Sequence, residues 1–379
     1  MAVSPIPAGM DPTYSAFKDV VDCGFNLATS QGTVDYFKKI FSMMGNLDLK
    51  YLIANPNFVD INQRKSYINA FENNPHLGGW LLKDEPQFKI LNDLSVLYKK
   101  FYAESKNKLV YFNLVGGLTK DFTGDSSNLT QYLNTIQNLF KPSLWSYDYY
   151  PFISFSGKLN IRYDQFYFDL ETFSSMARQT DRPFWCFCQS MGYTANTYSR
   201  PNPTLEYLRF EAYSALAYGA QGIVYWTYAL RRPMGGENYT SALVDLKGKK
   251  TKAWYAAQKV NNEIKRFNHV FYQCDVKEVR HTGDKLYMGT KKLSGPIGPF
   301  KMVRSGAAGV VVSYIDNKGE SYIVIVNRDV MKKQTVNLEV APNCSVSNIS
   351  LSNPVKYGAM ANISVTLDKA DWVIFKVEK

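Results

Sequence analysis

Over roughly the first 270 residues, helical and strand patterns alternate with short breaks. This rhythm confines the chain to an α/β architecture. The strand candidates are Ser4–Met10, Phe25–Thr29, Leu49–Asn55, the run from Leu77 to Asp84, Lys108–Val115, Ser143–Asp148, Pro183–Ser190 and Gly222–Tyr228. Helical periodicity falls between them at Asp11–Asp22, Val34–Met44, Ile61–Glu72, Ile90–Ser105, Leu129–Phe140, Asp164–Gln179, Thr204–Tyr218 and Thr251–Phe267. About eight strand–helix units in a span of this length suit a (β/α)8 TIM barrel. A doubly wound sheet, the competing architecture, calls for a glycine-rich phosphate loop after the first strand. None is present.

After residue 275 helical periodicity ends. Short strands follow at Val276–His281, Lys285–Thr290, Gly309–Ile315, Ser321–Arg328, Thr335–Val340, Ile363–Leu367 and Asp371–Val377. They predict a small all-β sandwich domain. The expected division is a barrel over 1–272 and a sandwich over 273–379. Asn-x-Ser/Thr sequons stand at Asn128, Asn238 and Asn348, and they matter only where the source glycosylates.

A net charge of +11 raises nucleic acid as a partner. The basic residues are scattered, however, as in Lys247-Gly248-Lys249-Lys250, with no dense basic block interleaved with aromatics. A solvated basic surface is the better reading, and no nucleic-acid partner is expected. The five cysteines are Cys23, Cys186, Cys188, Cys274 and Cys344. Their number is odd and their spacing is not that of a zinc site, so unbridged thiols and no metal are expected. No cofactor motif is present. No apolar run is long enough to span a membrane. The sequence carries no signal peptide. The protein is therefore expected either to have lost an export signal and act as a secreted, periplasmic or cell-surface protein, or to be cytoplasmic.

In a barrel of this kind, chemistry gathers at the C-terminal ends of the strands. The fourth candidate strand is an apolar run ending in Asp84-Glu85-Pro86. Proline cannot continue a ladder, so Glu85 falls at the strand mouth beside apolar walls. Such walls raise a carboxyl pKa and suit it to general-acid work. The other strand ends supply Asn55, Asn113, Asp148, Tyr149, Tyr150, Gln189, Trp226 and Tyr228. Acids, amides and aromatic platforms suit hydrolysis of a glycosidic bond, which needs one carboxyl group to protonate the leaving oxygen and a second as nucleophile or base. Asp148 is the expected second carboxylate, about 6–10 Å from Glu85 across two strands. Asp84, Asn113, Tyr150, Gln189, Trp226 and Tyr228 are the expected substrate-binding set. Trp185 and Phe187 are expected to fill the barrel. The three histidines, His76, His269 and His281, stand where no triad or metal site can be assembled from them.

Four stretches in this order carry a resemblance: Trp80–Pro86, Ser146–Phe152, Pro183–Ser190 and Ala217–Ile223. Together they resemble the barrel of β-galactosidase-like glycoside hydrolases related to glycoside hydrolase family 42 and its clan, as found in polysaccharide-degrading gut bacteria. Tyr322–Arg328 and Trp372–Val377 resemble the β-sandwich that often follows such barrels. The resemblance implies a glycoside hydrolase acting on an oligosaccharide or polysaccharide. It places the acid/base at Glu85, with Asp84 standing where the clan has Asn. The clan's nucleophile position is taken by Gln189. An amide cannot serve as that nucleophile, so a retaining double displacement does not carry over. A catalytically inactive barrel acting as a carbohydrate-binding protein is the alternative.

Overall fold

The computed structural model describes residues 1–105, 107–117 and 129–378. The sequon at Asn128 lies outside these residues. The described residues form two compact units. One comprises 1–161, 176–203 and 222–261; the other comprises 162–175, 204–221 and 262–379.

The first unit is built on a closed barrel of eight parallel strands: Ala2–Val3, Leu27–Gln31, Lys50–Ala54, Leu77–Asp84, Leu109–Val115, Trp145–Asp148, Phe184–Gln189 and Gly222–Trp226. Each neighbours the next in sequence, and the eighth closes on the first. Helices connect the strands because polar residues stop and restart the chain between them. Thr13, Thr33 and Asp60 each accept a backbone N–H in the first turn of the helix that follows, which satisfies donors the helix itself leaves unpaired. Met1, Val3, Leu52, Tyr111, Leu144, Phe187 and Val224 fill the interior, with Trp185 packed against them. Trp185 and Phe187 thus take the packing role expected of them.

The first strand differs from expectation. It is Ala2–Val3 rather than Ser4–Met10. Ser4 already turns at φ +49°, and Pro5 and Pro7 lack the N–H groups a ladder needs. A five-stranded antiparallel sheet was also missed. Its strands are Phe152–Phe155, Lys158–Ile161, Gly192–Thr194, Ser199–Arg200 and Asn238–Ser241. They come from the loops after the sixth, seventh and eighth barrel strands, so they rise on the C-terminal side of the barrel.

The second unit contains two antiparallel sheets, of six and three strands. Phe300, Val336, Leu338 and Ile363 of the smaller sheet share one core with Val312, Ile323, Ile325 and Phe375 of the larger. This is the sandwich. Lys285–Thr290 is not a strand. Tyr287 instead stacks on Tyr163 and Tyr167, with ring centroids 5.0 and 5.5 Å away. Ring stacking therefore holds this segment where a ladder was expected. None of the five cysteines is in a disulfide. Among the described residues, no helix is long and apolar enough to cross a membrane.

Candidate active site

The fourth strand reaches the mouth through a tight approach to the fifth. A Cβ on Gly79 would lie 2.0 Å from the Leu109 carbonyl oxygen, so only glycine fits there. Further along, the pairing register shifts between Leu81 and Lys83. Such a bulge turns the side chains that follow it. Asp84 ends the strand opposite Asn113, and Glu85 follows at φ +44°. A left-handed conformation costs a non-glycine residue roughly 1–2 kcal/mol. Two contacts hold it. The Glu85 N–H donates to the Asn113 carbonyl at 2.9 Å, and the Tyr132 hydroxyl donates to the Pro86 carbonyl at 2.6 Å.

Asn113 organises the acids. Its Nδ2 donates to Asp84 Oδ1 at 3.2 Å and to Asp148 Oδ1 at 2.7 Å. Its Oδ1 accepts from Ser146 Oγ at 2.8 Å. Ser146, having given its proton, accepts from the Tyr111 hydroxyl at 2.7 Å. The relay Tyr111–Ser146–Asn113 is buried and aims donors in one direction, at the two aspartates. Both amide hydrogens of Asn113 are spent on carboxyl groups. Asn113, expected to bind substrate, therefore positions the acids instead.

Glu85 and Asp148 lie near enough for each carboxyl group to act on the other. Two carboxyl groups brought near each other resist being ionised together. Burial, the negative charge of Asp84 and that of Glu237 push Glu85 up to about 7, against the opposing hydrogen bond from Asp148. Burial and the charges of Glu85 and Asp84 push Asp148 well above the usual carboxyl range, eased by hydrogen bonds from Asn113 and Tyr150. The two titrations are linked. Asp84 is also pushed up by burial, against Asn113 and the positive charges of Lys83 and Arg231.

The remaining expected residues divide. Tyr150 joins the acids through its hydrogen bond to Asp148, and Arg200 lies 5.5 Å over its ring. Gln189 ends the seventh strand beside Trp226 of the eighth and is buried. Trp226 packs on the barrel interior and lies under the Arg231 guanidinium at 4.7 Å. Tyr228 is not part of the site. The eighth strand ends at Trp226, so the expected alternation stops there. The Tyr228 ring is buried against Phe25, and its hydroxyl accepts from Trp254 Nε1 at 3.0 Å.

Glu237 was not anticipated. It lies on the hairpin after the eighth strand and is close enough to Glu85 to raise that carboxyl. It accepts from the Tyr239 hydroxyl at 2.6 Å, and Tyr239 in turn hydrogen-bonds Trp226. The adjacent Gly235-Gly236 was the only local signal, a turn marker that says nothing of chemistry. His76 bonds the Leu49 and Gly45 carbonyls at 3.0 and 2.9 Å, a packing role.

The family model described as Glyco_hydro_42, β-galactosidase, matches residues 95–267. A β-galactosidase from Bacillus circulans sp. alkalophilus superposes with a TM-score of 0.63 at 8% identity, covering 95% of this chain and 96% of that one. A catalytic mutant of a GH42 β-galactosidase from G. stearothermophilus gives 0.60 at 8% identity, covering 96% and 95%. A β-galactosidase from the psychrophilic Marinomonas ef1 gives 0.50 at 10% identity and covers 71% of this chain, which spans 60% of that enzyme's length. No curated protein matches the sequence. At these identities the solved structures speak for the fold alone. The chain is a (β/α)8 barrel followed by a β-sandwich, and its residues 95–267 are similar to the β-galactosidase family model.

Proposed function

We propose that the barrel hydrolyses an O-glycosidic bond in an oligosaccharide or polysaccharide, with the Glu85–Asp148 pair supplying the acid and the base. The observation that carries this reading is the cluster of acids gathered on Asn113 at the mouth, where burial and neighbouring charge push Glu85 up to about 7 and so keep a proton available near neutral pH. Glu85 gives that proton to the leaving oxygen as the bond to the anomeric carbon breaks. Asp148 is the second catalytic carboxyl group and takes the proton of the attacking water.

An inverting displacement wants about 6.5–9.5 Å between its two carboxyl groups, and a retaining one about 5–5.5 Å. Glu237, held by Tyr239, is near enough to Glu85 to raise it and so helps keep the acid protonated. Asp84, Tyr150, Gln189 and Trp226 orient the sugar. In this reading 1–272 is the catalytic barrel and 273–379 the sandwich domain. An extended polysaccharide is met outside the cytoplasm, so a secreted, periplasmic or cell-surface location goes with it.

The buried amide of Gln189 favours a second reading, a carbohydrate-binding barrel without turnover. The test is product release from a panel of oligosaccharides and polysaccharides, followed by NMR, for wild type and Glu85→Gln. Cleavage by wild type alone supports the hydrolase. Equal cleavage by Glu85→Gln removes Glu85 from the mechanism. Binding without cleavage by either protein establishes the second reading.

A further inference from the structure

A cleft of about 420 Å³ opens among the loops that follow the first, second and eighth barrel strands. Its walls include Ser4, Ser30, Gln31, Tyr36, Arg231 and Arg232. Its volume lies in the range of small-ligand sites. Two features set it apart from the acid cluster. Its lining holds two arginines and no Asp, Glu or Lys. Among the described residues, neither Arg231 nor Arg232 forms an ion pair, although fourteen such pairs occur elsewhere, several with Arg.

Both guanidinium groups have defined places. Arg231 lies 4.7 Å over the Trp226 ring and its charge reaches Asp84, so it borders the cleft and the acids alike. Arg232 reaches back over the loop after the first strand. A Cβ on Gly9 would approach its Nη2 to 3.4 Å. The neutral wall is already hydrogen-bonded. Ser30 Oγ bonds the Tyr51 hydroxyl at 2.8 Å and also Tyr36. The unmatched capacity of the cleft is thus cationic and planar. A guanidinium is the side chain best suited to grip a carboxylate or sulfate through two parallel hydrogen bonds.

We propose that this cleft is a subsite for an anionic sugar, with Arg232 the principal anion ligand and Arg231 linking the subsite to the Trp226 floor. The substrate class is then an oligosaccharide bearing a carboxylate or sulfate group near the bond presented to Glu85. This rests on the hydrolase reading only for the second clause, since the anion site stands on the cleft itself.

The test is calorimetric titration of the full chain carrying Glu85→Gln with three size-matched oligosaccharides: uronate-bearing, sulfated and neutral. A fourth titrant, a short single-stranded nucleic acid, serves as a non-sugar polyanion. At least one acidic sugar is expected to bind about tenfold or more tightly than the neutral one, with affinity falling as salt rises. Adding Arg232→Gln should remove about that tenfold preference, and Arg232→Lys should restore only part of it. The uronate and sulfate arms identify which anion the subsite takes. Equal binding of neutral and acidic sugars, a preference untouched by Arg232→Gln, or nucleic acid matching the best sugar would each overturn the proposal. Hydrolysis by wild type, run in parallel, separates the two claims. An acidic sugar bound through Arg232 but never cleaved keeps the subsite and removes the hydrolase. Cleavage of neutral sugars with no acidic preference does the reverse.

Discussion

Two regions of this protein gather charged groups out of water, and they do so on opposite terms. In the sandwich-bearing unit, charges meet partners. Arg328 donates to the Thr282 carbonyl at 2.7 Å and the Ala308 carbonyl at 2.6 Å, and its Nη1 lies 3.1 Å from His281 Nδ1. Burial and the Arg328 charge hold His281 well below its ordinary pKa, so it stays neutral. Arg209 pairs with Glu263 at 2.5 Å and lies 3.6 Å from Asp371. In the barrel mouth, three carboxyl groups gather around Asn113 and raise one another. In the first arrangement the charges are hydrogen-bonded or paired. In the second, like charges face one another, which costs free energy. Strained like-charge clusters in a concave mouth are where chemistry is to be sought.

The comparison predicts opposite losses. Replacing Glu85 with Gln should reduce kcat by about 10²–10⁴-fold, the span general acid catalysis supplies, with thermal unfolding almost unchanged. A large fall in Tm with intact turnover would erase the distinction. Arg328→Ala should act the other way. It strips donors from buried carbonyls, costing about 3 kcal/mol, read by denaturant unfolding, with the Glu85 pKa unmoved.

The third effect is smaller and depends on pH. Glu85 and Asp148 have raised folded-state pKa values, so the folded protein binds more protons than the unfolded one from about pH 4.5 upward. Their contribution is fully present below the unfolded value and is lost as pH rises through about 7 and beyond. The Tm of wild type should therefore fall between pH 5 and pH 8 by more than that of the Glu85→Gln, Asp148→Asn double variant. Identical slopes would mean the two acids titrate normally. The smallest effect belongs to Tyr228→Phe. It orphans the Trp254 N–H, costing about 1 kcal/mol, and leaves KM unchanged. A raised KM would return Tyr228 to the site.

How much of this was legible in the sequence follows from what each segment buries. The fourth, sixth and seventh strands are apolar runs that end abruptly on Asp84, Asp148 and Gln189, so pattern alone placed those residues at the mouth. Ala2–Val3 is too short to show a period and was read too late in the chain. The strands over the mouth are two to four residues long, below the length at which alternation separates strand from turn. Glu237 immediately precedes one of those strands, so it was invisible for the same reason. The left-handed turn at Glu85 falls on a non-glycine residue, which no propensity announces. Tyr228 looked like a strand residue because the aromatic alternation of Trp226 and Tyr228 continues past the point where the ladder ends.

The central claim is that the Glu85–Asp148 pair holds a proton at neutral pH. The most direct measurement is NMR titration of ¹³C-labelled carboxyl groups in the full chain, with Glu85→Gln and Asp148→Asn used to assign the signals. The account predicts a carboxyl resonance titrating near pH 7 in wild type that disappears in Glu85→Gln and moves in Asp148→Asn. Ordinary titration of both groups near pH 4 would contradict it.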